Sequence, residues 1–332
     1  MTSNKRSSGL AALREMPFVQ LRSSNALLDD QSALDRRYRE EGALFFRAAI
    51  DPNVLRPIRD QVAGVLERWS VARWENDDLV WTGVPLPDFD RRELHDLPAL
   101  NALSEANGDG SSPLKTLADA VYSRPTSVSR ALTLFAIIPD DPAHTTSPHR
   151  DNISGGFANP ERQDADYRRL WLPLTNIAFG DGGLAVALGS HGELSGTLVE
   201  TTKEPWATAS FELGDALFFH ARTLHAGIPF KSHRIRIAVA PMIALEGHPH
   251  EFNRTVPESE DDRDECSRIA AALGASETDA GAAFRLLTLR GEIVPDQDSV
   301  AAALAAVRKG ISYPPDFVWP TAARGRTRHT GP

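Results

Sequence analysis

Hydrophobic positions change their period several times along this chain, and each change predicts a change of structure. Up to about residue 30 apolar residues are sparse among Ser, Arg and Asn, so residues 1–30 are expected to form a flexible N-terminal arm. Gly42 opens the apolar run Ala43-Leu44-Phe45-Phe46, a short strand, and Asp51-Pro52 then offers a cap and a first-turn proline. Val54, Leu55, Ile58, Val62, Val65 and Leu66 recur at helical spacing on one face, with Pro57 placing the start of the regular helix there rather than at Pro52. Residues 72–125 are rich in Trp, Pro, Asp and Gly without sustained periodicity, which predicts irregular loops and short helices laid over something else.

Between residues 130 and 242 the pattern turns to short β-rich runs: Leu132 to Ile138, Leu170 to Asn176, Leu184 to Leu188, Ala216 to Phe219 and Arg234 to Met242. Short strands at such spacing suggest a barrel or jelly roll. Val300, Leu304, Val307 and Ile311 then return to helical spacing. The fold class expected is α+β with a mainly β core, a cupin-like jelly roll with flanking helices. Residues 31–245 would form this domain with its helical and loop cover, and 246–332 a helical C-terminal extension packed on it.

Composition narrows the function. The 332 residues carry 45 Asp and Glu against 36 Lys and Arg, and no basic run interleaved with aromatics tracks a phosphate backbone, so nucleic acid is not an expected partner. No signal-peptide pattern and no unbroken apolar stretch of membrane-spanning length is present, which predicts a cytoplasmic protein without membrane association, a monomer or homodimer. The lone Cys266, beside Asp264 and Glu265, reads as an inert helix residue.

Chemistry enters with the histidines: five of the ten, His144, His149, His191, His220 and His225, lie at or near strand ends, with His233 just beyond. In His149-Arg150-Asp151 an imidazole and a carboxylate stand two residues apart, which in extended backbone sends both to one face and Arg150 to the other. A 2-His-1-carboxylate metal site needs one further imidazole, and His225, 76 residues downstream, is the candidate. A second such pair, His191-Gly192-Glu193, follows Gly189-Ser190 and reads as a loop histidine bonded to backbone. Eleven residues after His225, Arg236 lies in the alternating run Arg234-Ile235-Arg236-Ile237-Ala238-Val239, where an inward arginine would be buried and need an anion. A dicarboxylate held through two parallel hydrogen bonds would supply one. Arg234 has the same parity, so alternation leaves both open.

By segments the chain resembles the phytanoyl-CoA dioxygenase-like family of iron(II) and 2-oxoglutarate dependent oxygenases. The segments are Gly42 to Arg47 with Asp51-Pro52, Ser147 to Asn152, Leu170 to His191, the run Gly214 to Pro229 around His225, and Arg234 to Val239. The resemblance implies a double-stranded β-helix, iron(II) on His149, Asp151 and His225, and 2-oxoglutarate anchored by Arg236 rather than Arg234, with O2 as oxidant. It also places Trp171 near the co-substrate. Phe230 stands where the family often has Asn, and Asp151 stands where related halogenases have a small residue, which disfavours halogenation.

The activity implied is hydroxylation of an unactivated carbon, releasing succinate and CO2. Desaturation, epimerisation or ring closure at the same iron site is one alternative, and a cupin-like metal-dependent isomerase or binding module is another. Substrate choice is expected in the cover, at Trp69 to Trp81 and Asn152 to Arg169, with Gly155-Gly156 as a hinge. The charges of Arg162, Asp164, Asp166, Arg168 and Arg169 suggest a polar small molecule, such as a specialised metabolite, in place of a long acyl chain.

Overall fold

A computed structural model describes residues 13, 16–86, 92–95, 97–129, 132–139, 145–146, 148–151, 168–192, 205–245, 260–276, 279–281, 283 and 297–308. The strands, in chain order, are β1 Val19–Gln20, β2 Ala43–Phe46, β3 Ala72–Glu75, β4 Asp78–Trp81, β5 Thr126–Val128, β6 Thr133–Ile137 and β7 Arg168–Pro173. They continue with β8 Leu184–Ala187, β9 Trp206–Thr208, β10 Ala216–His220, β11 His225–Gly227, β12 Arg236–Ala240 and β13 Met242–Leu245. The helices are α1 Gln31–Glu41, α2 Pro52–Arg68, α3 Arg92–His95, α4 Pro98–Asp109, α5 Pro113–Tyr122, α6 Glu260–Ala272 and α7 Gln297–Arg308.

Two sheets face one another. The larger runs β2-β10-β7-β12-β6, with β13 pairing both β5 and β7, and the smaller runs β1-β9-β8-β11. This is the jelly roll that the strand spacing suggests, in the double-stranded β-helix form that the family resemblance implies. Alternation along each strand sorts its side chains into separate layers. Ala43 and Phe45 of β2, Trp171 of β7, Leu217 and Phe219 of β10, and Ala238 and Ala240 of β12 point between the sheets, where they meet Leu184 and Val186 of β8. The residues between them, Leu44, Phe46, Leu170, Leu172, Phe218, Ile237 and Val239, point outward onto the helices. On the other side of the smaller sheet Ala185, Ala187, Ala226 and Ile228 pack with Leu13 and Trp206.

The helices cover the larger sheet because each offers one apolar face. Leu55, Ile58, Val62, Val65 and Leu66 of α2 are fully buried, as their spacing predicts. The helix starts at Pro52, with the Asp51 carboxylate accepting from the Asn53 amide, and runs through Pro57. The expected start at Pro57 is thus corrected: this proline sits on the exposed face, where its ring is tolerated at the loss of one helical hydrogen bond. The α1 helix, capped by Asp30, ends at Gly42, whose φ of 69° is left-handed. A Cβ there would run into the His191 ring and the Thr223 hydroxyl, so the position demands glycine twice over.

Three further expectations change. Residues 72–81, read as irregular, form the hairpin β3–β4, whose turn is made at Asn76 with φ 55°. The run Arg234 to Met242 divides at Pro241, which cannot donate to the ladder, into β12 and β13. The charged cover segment ends earlier than expected, since β7 begins at Arg168. That guanidinium is buried between the rings of Tyr38 and Tyr122, 3.6 Å from each centroid. Residues 152–167 with Gly155-Gly156, as well as His144, Glu193 and Ile311, lie outside the described residues.

Helices α6 and α7 build their own small cluster, in which Cys266 and Ala270 meet Val300, Ala303 and Leu304. Cys266 is fully buried and burial pushes its thiol up to about 11. Native protein at pH 8 is therefore expected to react with iodoacetamide about two orders of magnitude more slowly than an unfolded chain. Mass spectrometry of samples labelled with and without guanidinium checks this, and rapid native labelling would show that the two helices do not hold together.

Candidate metal centre

Sequence places His149 and His225 far apart, and the smaller sheet brings them together as a pair. The amide of His149 donates to the carbonyl of His225 at 3.0 Å and the amide of His225 donates back at 3.0 Å, an antiparallel bridge with both rings on one side. Their centroids are 4.2 Å apart. Asp151, two residues beyond His149, turns to the same side: its Oδ1 is 3.4 Å from His149 Nε2 and 3.8 Å from His225 Nε2. One ligand atom from each of the three lies within 4.8 Å of the others, the single such group among the described residues.

The surroundings fix the form of each group. His225 Nδ1 lies 2.9 Å from the Thr223 carbonyl, which can only accept, so Nδ1 carries the proton and the Nε2 lone pair faces Asp151. Phe219 packs on the ring at 4.6 Å. Burial, reinforced by His149, pushes the His225 pKa down to about 3, so the imidazole is neutral in the ordinary range. For Asp151 burial alone would favour the protonated acid, but Arg169, followed by the two histidines, outweighs it and holds the carboxyl well below its usual value. The Arg169 Nε donates to Asp151 Oδ2 at 2.9 Å. Arg150 points the opposite way, as alternation requires, and is buried. Its Nη1 donates to the carbonyls of Ser190 and Arg222, tying the metal turn to the segment that carries His225.

Across the inner face, Arg236 is 2% exposed. Its Nη1 donates to the carbonyls of Gly182 and Gly183 at 2.8 and 2.9 Å, while its buried Nε has no partner among the described residues. Burial lowers its pKa to about 10, which leaves it charged at neutral pH. The guanidinium lies over Gly227, where a Cβ would come within 3.3 Å of both terminal nitrogens. Phe230 fits against Gly182 at the same corner, the place its departure from the family pattern concerned. Arg234 falls before β12 begins, half-exposed and paired to Asp78 at 2.6 Å, so its shared parity does not bring it inside. Trp171 does face inward, edge-on to Phe211 at 4.9 Å. The rival His191 lies in a short turn, stacked with Tyr38 and 5.6 Å from His220.

Arg169 is the site residue that sequence reading missed. It was grouped with a charged loop, although its parity with Trp171, two residues on, would have set it on the inner face.

Two imidazoles and one carboxylate on a double-stranded β-helix, facing a buried cation, define a mononuclear metal oxygenase of the 2-His-1-carboxylate class. The chain belongs to the phytanoyl-CoA dioxygenase family, whose model matches residues 38–238. It is 27% identical over 281 residues to the 1-deoxypentalenic acid 11-beta-hydroxylase of Streptomyces arenae, covering 76% of this chain and 95% of that protein. The enzyme of the same name from Streptomyces exfoliatus is 27% identical over 283 residues, with the same coverage. Among solved structures, the non-haem alpha-ketoglutarate dependent epimerase SnoN from nogalamycin biosynthesis is 19% identical over 65% of this chain and 82% of its own, with a TM-score of 0.45. The protein is an iron(II)- and 2-oxoglutarate-dependent oxygenase. The residues fit both groups: two imidazoles, that of His225 held neutral by burial, with an anionic carboxylate suit iron(II), and a buried guanidinium nitrogen with no partner among the described residues suits a carboxylate. Among the described residues no helix is long and apolar enough to cross a membrane.

The His225 shift sets a pH dependence for the metal-free protein. Above about pH 6.5 the ring is neutral both folded and unfolded, and contributes nothing to the pH slope. Below it the unfolded chain takes up a proton that the folded site refuses, so stability falls by up to about 1.4 kcal/mol per pH unit on the way toward pH 3. Urea midpoints measured on apoprotein from pH 7 to 4 should show this slope, and His225→Gln should flatten it.

Proposed function

We propose that His149, Asp151 and His225 hold iron(II), that Arg236 clasps the distal carboxylate of 2-oxoglutarate, and that the enzyme hydroxylates an unactivated carbon of a polar small molecule, such as a specialised metabolite. The observation that carries the reading is the pairing of a three-ligand cluster with a buried, incompletely bonded guanidinium on the same inner face. Gly227, beneath the guanidinium, lies two residues along β11 from His225, roughly 7 Å by strand rise, a span that a five-carbon diacid bridges. When bound, iron(II) and 2-oxoglutarate together activate dioxygen and deliver one oxygen atom to a substrate C–H bond, with succinate and CO2 as coproducts.

The chain's own residues have separate tasks. Thr223 holds the His225 tautomer that presents Nε2. Asp151 presents Oδ1 as the anion. Gly182 and Gly183 aim Arg236 while leaving Nε and Nη2 for the co-substrate. Trp171, Phe211 and Phe219 wall the space between the sheets and keep water from it. Trp171, which faces the space between the sheets, would flank 2-oxoglutarate. The small residues Ala238 and Ala240 leave room above β12. The name of the two Streptomyces relatives, a hydroxylase of a carboxylic acid, supports hydroxylation of a small molecule as the outcome.

Succinate release screened against candidate metabolites, with Asp151→Ala as the blank, tests the reading. Turnover that survives that substitution would show the site to be misplaced, and a fatty acyl-CoA as best substrate would overturn the substrate class. Arg236→Ala is expected to raise the KM for 2-oxoglutarate by about a hundredfold, the worth of two charge-assisted hydrogen bonds, with iron uptake unchanged. Anaerobic addition of 2-oxoglutarate to the iron(II) protein should give a visible charge-transfer band in the wild type.

A further inference from the structure

Asp151 has two oxygens, and they meet different neighbours. Oδ1 faces the two imidazoles at 3.4 and 3.8 Å, whereas Oδ2 accepts from Arg169 Nε at 2.9 Å. We propose that Arg169 is a positioning residue that restricts Asp151 to a single metal-facing oxygen. The proposal rests on the reading of His149, Asp151 and His225 as iron ligands.

Carboxylates bind metal ions through one oxygen or through both, and which mode is taken depends on what else holds the second oxygen. Here it is held by a cation within a site largely screened from water, where a charge-assisted hydrogen bond is stronger than it would be at the surface. Arg169 is itself fixed at both ends. Its backbone lies in β7, opposite Phe219 of β10 on one side and Met242 of β13 on the other. Its Nη1 reaches the Ala240 carbonyl at 3.3 Å. The side chain therefore cannot follow Asp151 if the carboxylate rotates, and rotation to a two-oxygen mode would break the hydrogen bond.

The consequence is a matter of coordination sites. Two imidazoles and one carboxylate oxygen leave room for a 2-oxo acid bound through two atoms and for one further small ligand. A second oxygen from Asp151 would take the place of that last ligand. An ion pair serving only the fold would have no bearing on it, so the two roles separate by measurement.

Arg169→Met keeps the length of the stem and removes the donors, and Arg169→Gln keeps a shorter, neutral donor. Each variant and the wild type are loaded anaerobically with iron(II) and 2-oxoglutarate, assayed for bound iron, melted, and titrated with nitric oxide while the spin-3/2 electron paramagnetic resonance signal is recorded. The expected result is a nitric oxide affinity at least about tenfold weaker in Arg169→Met, with the Gln variant between it and the wild type and melting temperatures unchanged. Loss of iron from a Met variant that melts like the wild type supports the proposal as well, since the carboxylate has then left its post. Equal iron content and equal nitric oxide affinity in the Met variant and the wild type overturn it. Failure of both variants to fold assigns Arg169 to the fold and overturns it too. A wild type that takes up no iron overturns the metal assignment beneath it, an outcome distinct from all of these.

Discussion

Asp151 and Arg236 are nearly sealed from solvent between the two sheets, and removing an ion from water costs several kcal/mol unless partners replace the water. The two charges are compensated unequally. Asp151 has Arg169 at 2.9 Å, a full opposite charge. Among the described residues Arg236 has only two neutral carbonyls, both on one nitrogen, each worth about 1 kcal/mol net. The carboxylate is thus settled in the protein as it stands, whereas the guanidinium remains short of partners by more than those two bonds supply. An anion entering beside it recovers that deficit. Binding there draws on a cost already incurred in folding, which is how a preorganised site gains affinity without rearrangement.

Such an arrangement needs strands whose two faces do different work. The outward faces of β2, β7, β10 and β12 are continuous apolar surfaces, Leu44, Phe46, Leu170, Leu172, Phe218, Ile237 and Val239, all at most 2% exposed against the helices. Fully burying each such side chain is worth roughly 1.5–3 kcal/mol. Stability therefore comes mainly from the outer layer, and the inner layer can carry Arg169, Arg236 and the small residues Ala43, Ala238 and Ala240. In the same inner layer Phe45, Trp171 and Phe211 pack through edge-on aromatic contacts.

How much of this was legible follows from period and parity. The β2 strand, the apolar face of α2, the strand core and the pairing of His149 with Asp151 could all be read, because each is a local pattern of period 2 or 3.6 over several residues. Strands β9 and β11 are three residues each, too short to show alternation, and β11 was hidden although His225 begins it. The β3–β4 hairpin was missed because its turn is made by Asn76-Asp77 without the glycine that usually signals one. Parity could not choose between Arg234 and Arg236, since what separates them is where the ladder starts, and that is set by pairing with β6. Arg168 and Arg169 read as the end of a charged cover segment because composition alone says nothing of Tyr38, Tyr122 or Asp151, which are remote in sequence and adjacent in space.

The register of β12 shows that the site residues also specify the fold. A slip of one position would send Ile237 and Val239 between the sheets and turn Arg236, Ala238 and Ala240 toward the helices. The guanidinium would then lie against Leu134, Leu172 and their neighbours with no carbonyl to bond, and the helices would lose two branched side chains for two methyl groups. Inside, two β-branched residues would occupy the space now left by alanine. Every part of that exchange is unfavourable, with the unpaired charge the largest. The Gly182 and Gly183 carbonyls that aim Arg236 thereby hold β12 in place against β6 and β7 as well. A residue chosen for an anion and a residue chosen to fix a strand make the same demand here, which is why one arginine can meet both.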